Sequence, residues 1–108
     1  MSEHFYSRDD GKQLRKLREL KPDLFKSFVE FDAKVFEPGA LDVKTKELIA
    51  VATAHITQCV YCIDAHTKRA KKAGATDAEI AESIFVAMAL RAGGSWAHSA
   101  VAMKALQE

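Results

Sequence analysis

Cysteine is scarce in this 108-residue chain: it has two, Cys59 and Cys62. A disulfide-stapled scaffold needs more of them at wider spacing, so this pair is not a structural framework. An excess of one charge is also missing. Sixteen basic against fifteen acidic residues leave a formal charge of +1. That balance argues against a nucleic-acid module, which needs a basic excess or stripe. No apolar run is long enough to cross a bilayer. The opening residues, Met1 to Tyr6, carry no apolar h-region of a secretory signal. The expectation is a cytoplasmic protein with reduced thiols and no nucleic-acid or membrane partner. Strand signals are lacking as well: no stretch alternates cleanly, and no Asn-Gly or Asp-Gly hairpin turn occurs. There is no internal repeat and no low-complexity segment.

What remains reads as all-α. Hydrophobic residues make up 48% and charged residues 29%, enough for the core and surface of one domain spanning 1–108. Residues 1–9 read as a flexible, arm-like start. Leu14, Leu17 and Leu20 mark a basic helix. Pro22 opens a second, with Leu24, Phe25, Phe28, Phe31, Val35 and Phe36 as its apolar face and Pro38-Gly39 as its end. Asp42 is placed to cap a third helix with Lys44 to Gln58 as its body, largely buried through Leu48, Ile49, Val51, Ala52 and Ile56. A fourth runs from Val60 to Ala73, ended by Gly74 as a left-handed cap. Thr76 with Glu79 forms a capping box for the fifth, which carries Ile80, Ile84, Met88 and Leu90. Gly93-Gly94 is expected to break or kink it, with Ser95 to Leu106 resuming as a last helix. The sum is a compact bundle of about six helices. Alanine-rich stretches at Ala50–Ala54 and Ala81–Ala105 leave smooth helix faces suited to subunit contact, so a homo-oligomer is expected.

Chemistry concentrates at Cys59-Val-Tyr-Cys62. Two sulfurs three positions apart at a helix start can close a disulfide without much backbone movement. Unpaired amides and the helix dipole there stabilise a thiolate. His66 follows Cys62 by four, so both project from one helical face, and an imidazole there can take the thiol proton. Glu47, on the preceding helix, would orient that imidazole if the fold brings it near. A zinc site is the competing reading, with Cys59, Cys62 and His66 as ligands and Glu47 or His98 as the fourth; structural zinc sites usually show a second paired motif, absent here. A third reading is a non-enzymatic oligomeric scaffold with a vestigial site. His55, between Ala54 and Ile56, reads as a hydrogen-bonded core histidine. Trp96, Phe25, Phe28 and Phe31 read as core or interface, and Lys68–Lys72 as a solvated face.

Glu47, eleven residues, Cys59, two residues, Cys62, three residues and His66 resemble the signature of the alkylhydroperoxidase D-like group, within the carboxymuconolactone decarboxylase superfamily. The resemblance extends over Leu41 to Leu106, including the glycine-containing helix with Trp96-Ala-His98. It implies an all-α homo-oligomer, commonly a trimer or hexamer, and a peroxide-reducing or disulfide-exchanging antioxidant oxidoreductase. Its site would comprise Glu47, Cys59, Cys62 and His66, with Cys62 attacking, Cys59 resolving, and Glu47 with His66 relaying protons. The implied partners are a hydroperoxide or disulfide substrate and an external dithiol reductant. No bound cofactor and no metal is called for. Tyr61 and His98 are further candidates for the substrate pocket. Better-known members of the group carry a histidine just before the second cysteine, where this chain has Tyr61.

Overall fold

The computed structural model describes residues 6–108. Five α-helices follow one another: α1 (Gly11–Leu20), α2 (Pro22–Val35), α3 (Val43–Thr57), α4 (Val60–Lys72) and α5 (Asp77–Ala105). No strand occurs among the described residues. Residues 1–5 of the expected arm lie outside the described residues. Within its remainder, Arg8–Asp10 forms a 3-10 turn capped by Ser7, whose hydroxyl accepts the Asp9 N–H at 3.2 Å. The chain divides into two units, Met1–Val43 and Lys44–Glu108.

In the first unit, Lys21 leaves helical geometry and Pro22 takes the first position of α2. There the missing N–H is no loss and the fixed φ suits the helix. The Arg18 guanidinium lies 5.8 Å from the Phe25 ring centroid. Phe25 in turn meets Phe28 at 6.2 Å between centroids. Leu24, Phe28 and Phe31 are not buried within this unit, so the apolar face expected on α2 is not a core of its own unit.

The second unit holds the core. Val51 of α3, Ala70 of α4, Ala75 and Ile80 of α5 form its centre, with Leu48 and Ile84 packed against it. Small residues at Ala54, Ala70 and Ala87 are buried as well. Val51 is fully buried as expected, whereas Ile49 is 49% and Ile56 36% exposed. α3 is apolar around most of its circumference, and its own unit covers one side of it.

Two helix ends share one design. At the end of α4 the Ala75 N–H donates to Ala70 O at 2.9 Å, around Gly74 at φ +99°. At the end of α3 the Cys59 N–H donates to Ala54 O at 3.1 Å, around Gln58 at φ +59°. Both are Schellman ends, which place one residue in the left-handed region that glycine enters at least cost. The sequence marked the first, through Gly74, but not the second. Beyond Gly74, the Glu79 N–H donates to the Thr76 hydroxyl at 3.1 Å and the Thr76 N–H to the Glu79 carboxylate at 2.9 Å, the expected capping box. Lys44 reaches the same carboxylate at 2.9 Å, tying the start of α3 to the start of α5.

The expected break at Gly93-Gly94 does not occur: α5 runs unbroken for 29 residues. Neither glycine has a positive φ. Each weakens the helix by about 1 kcal/mol relative to alanine, but no proline removes a donor, and the alanines on both sides restore helical preference. The six helices expected are therefore five.

Gly93→Ala raises unfolding free energy by about 1 kcal/mol in urea titration, because a Cβ there meets no atom within 4 Å. Thr76→Ala lowers it by about 1 kcal/mol at neutral pH. The Thr76 backbone N–H, and next the Lys44 ammonium, hold the Glu79 carboxyl below its ordinary value of 4.5. A depressed acid stabilises the fold fully above its unfolded pKa and loses that contribution as pH falls through the folded one. Glu79→Gln therefore narrows the stability lost on acidification, read from the same titrations repeated at decreasing pH.

Candidate functional site

Cys59 is the N-cap of α4, and its sulfur accepts the Cys62 N–H at 3.2 Å. The two cysteines are joined in a disulfide, with their Cα atoms 5.2 Å apart, inside the range a disulfide spans comfortably. Gln58 sets this up. Its left-handed conformation ends α3 and turns the chain so that the next residue can cap α4. The unpaired amide of the first turn of α4 thus meets the Cys59 sulfur, where it would stabilise a thiolate once the bond is reduced.

Glu47 and His66 come together from the two helices on either side of this junction. Glu47 is 4% exposed, and its Oε1 lies 2.6 Å from His66 Nδ1. At 1.5 Å per residue, Glu47 sits about 16 Å back along α3 from Gln58, and His66 about 12 Å forward along α4. Folding the second helix back on the first brings them level. An ionised carboxylate only accepts, so Nδ1 carries the proton and donates it, and Nε2 becomes the nitrogen that exchanges protons. A carboxylate this buried is tolerated because the imidazole satisfies it.

His66 stands one helical turn beyond Cys62, on the same face of α4. Sulfur pair, imidazole and carboxylate thus follow one another across the α3–α4 junction. The geometry can hold two thiols or their disulfide, take or return a proton at Nε2, and keep the imidazole oriented through Glu47. Tyr61, on the first turn of α4, is 37% exposed.

His98 lines a cleft of about 710 Å³ with Ile56, Leu90, Arg91, Gly94 and Ser95. Its Nδ1 donates to Gly94 O at 3.1 Å. His55 bonds Val51 O of its own helix at 2.7 Å, so it is hydrogen-bonded as expected, but it is half-buried and not core. Lys68 pairs with Asp64 at 3.0 Å and Lys71 with Asp77 at 2.6 Å, the behaviour of a solvated face. No group of three or more His, Cys, Asp or Glu able to hold a metal occurs among the described residues. No helix among them is long and apolar enough to cross a membrane. The sequence reading missed Gln58 and the cleft residues Arg91, Gly94 and Ser95. A polar stripe at spacings of four and three along α5 was the available signal for Arg91, Ser95 and His98.

The carboxymuconolactone decarboxylase family model matches residues 22–106. The chain belongs to this family. Among relatives, protein 4 of the cox locus of Paracoccus denitrificans is 49% identical over 82 residues, covering 76% of this chain and 74% of that protein. A solved structure from Methanobacterium thermoautotrophicum is 33% identical with a TM-score of 0.75, covering 79% of this chain and 96% of its own. A carboxymuconolactone decarboxylase family protein from Legionella pneumophila is 38% identical with a TM-score of 0.72, covering 86% and 83%. Another family member, from Thermotoga maritima, is 39% identical with a TM-score of 0.59, covering 61% and 68%. That protein has been suggested to take part in an antioxidative response.

In this family member, Glu47→Ala leaves the His66 Nδ1–H without its carboxylate. It lowers unfolding free energy by about 2 kcal/mol, measured by urea denaturation, while Glu47→Gln, which keeps an acceptor, loses less.

Proposed function

We propose that this protein is a thiol-dependent oxidoreductase of the alkylhydroperoxidase D-like group, reducing peroxides or exchanging disulfides through Cys59 and Cys62. The observation that carries this reading is the buried Glu47–His66 hydrogen bond, 2.6 Å long, set on the same helix turn sequence as a disulfide-bonded Cys-x-x-Cys pair. A structural cysteine pair has no need of an oriented imidazole one turn away. The suggested antioxidative role of the Thermotoga maritima relative supports the same reading.

In the cycle, His66 Nε2 takes the Cys62 thiol proton. The thiolate attacks the distal peroxide oxygen, the O–O bond breaks, and the proton passes to the departing alkoxide to give an alcohol. Cys62 is now a sulfenic acid. The Cys59 thiol condenses with it, releasing water and forming the disulfide. An external dithiol attacks that disulfide, leaves as its own disulfide and returns both cysteines to thiols. Glu47 keeps the ring oriented and stabilises the imidazolium formed in the first step. No step calls for a bound cofactor.

The same reading places the protein in the cytoplasm, where dithiol reductants operate, and makes it a homo-oligomer, as a trimer or hexamer. Phe85 at 64% and Trp96 at 79% exposure on α5, with Leu106 at 77% just past its end, are the sort of apolar surface that other copies would cover.

The test is peroxide consumption with a dithiol reductant. Cys59→Ser and Cys62→Ser each abolish turnover, and His66→Ala lowers kcat/KM about a hundredfold, with circular dichroism showing that each variant is folded. Unchanged turnover in either cysteine variant removes the proposal.

A further inference from the structure

The two adjacent glycines of α5 find no explanation within their own chain. A Cβ on Gly93 or Gly94 meets no atom within 4 Å, neither takes a positive φ, and each weakens the helix by about 1 kcal/mol. Gly94 lines a cleft of about 710 Å³ together with Ile56, Leu90, Arg91, Ser95 and His98. That volume is in the range of small-molecule sites. Arg91, Ser95 and His98 fall at spacings of four and three on α5, hence on one stripe of its surface. Arg91 donates one guanidinium N–H to Ile56 O at the end of α3. This fixes the charged fork between the two helices, with further donors available to a ligand.

We propose that this cleft binds a monocarboxylate carrying a short apolar tail. The carboxylate takes the Arg91 fork with the Ser95 hydroxyl beside it, and the tail lies over Gly94 along Ile56 and Leu90. The planar guanidinium matches the two oxygens of a carboxylate. No acidic side chain lines the cleft, which disfavours a cation. The stripe lies in the interior of α5, where backbone amides are already paired, so the helix-terminal donors that build phosphate sites are absent. Ile56 precedes Cys59 by three residues, so their Cα atoms are within about 11 Å even at full extension. In the proposed pose the rest of the molecule extends past Ile56 toward the sulfur pair. The class of substrate assigned is therefore an organic hydroperoxide bearing a carboxylate. That role as a substrate site rests on the thiol chemistry proposed above, whereas carboxylate binding is measured without it.

The experiment is calorimetric titration of the full chain with sodium octanoate, with octan-1-ol and inorganic phosphate as controls. Octanoate binds saturably, and both controls bind about tenfold more weakly or worse. Arg91→Gln, and separately Gly94→Leu, weaken octanoate about tenfold. Gly94→Leu adds bulk to the cleft lining from a helical position whose Cβ meets no atom within 4 Å, so it tests the site even if Arg91→Gln, by releasing Ile56 O, fails to fold. Absence of saturable octanoate binding, equal affinity for octan-1-ol, or wild-type affinity in Gly94→Leu overturns the site. Hydrogen peroxide turnover measured in parallel separates the two claims. Octanoate binding without turnover keeps the cleft and removes the thiol peroxidase; turnover without octanoate binding does the reverse.

Discussion

A carboxylate taken out of water must find a hydrogen-bond donor inside the protein or give up its charge, and Glu47 finds the ring N–H of His66. That one contact, between residues 19 apart in sequence, sets much else. It fixes which nitrogen of His66 carries the proton. It joins α3 to α4 across the loop that holds the cysteines, so that the chemistry-bearing helix cannot slide without burying an unpaired charge. It also requires the chain to reverse sharply just after α3.

The reversal is made at some conformational cost. Gln58 occupies the left-handed region where Gly74 serves at the equivalent point after α4. A residue with a Cβ is less at ease there by roughly 1 kcal/mol. The surrounding hydrogen bonds hold it in place: Cys59 N–H to Ala54 O behind it and Cys62 N–H to the Cys59 sulfur ahead. The sulfur pair is therefore positioned by backbone geometry, and the imidazole by a buried side-chain contact. Two independent constraints meet at one short junction.

The packing around this junction is lean. Among the described residues Val51 is the one large side chain fully buried, and alanines supply most of the remaining core. Many large apolar residues are exposed. Membership in the carboxymuconolactone decarboxylase family accounts for the all-helical plan. The chemistry lies in the residues carried on that plan.

Much of the architecture was legible because it is written locally. Pro22, Gly74 and the Thr76–Glu79 box act within one helical turn of themselves, and the helix limits they set agree with the structure to within a residue or two. The Cys59–Cys62 spacing and the one-turn step to His66 are likewise local. Gly93-Gly94 misled because a pair of glycines weakens a helix without forcing it to end; the long alanine-rich segments around them decided the matter. The left-handed Gln58 was invisible, since nothing in a glutamine announces that conformation. Sequence by itself thus determined the helices, their caps and the order of reactive groups along the chain, all set by interactions across a few residues. Only the tertiary structure decided that Glu47 meets His66, that His98 lines a cleft with Arg91 and Ile56, and which side of α3 its own unit covers. Each of those depends on how one helix folds back on another, and periodicity within a helix carries no information about that.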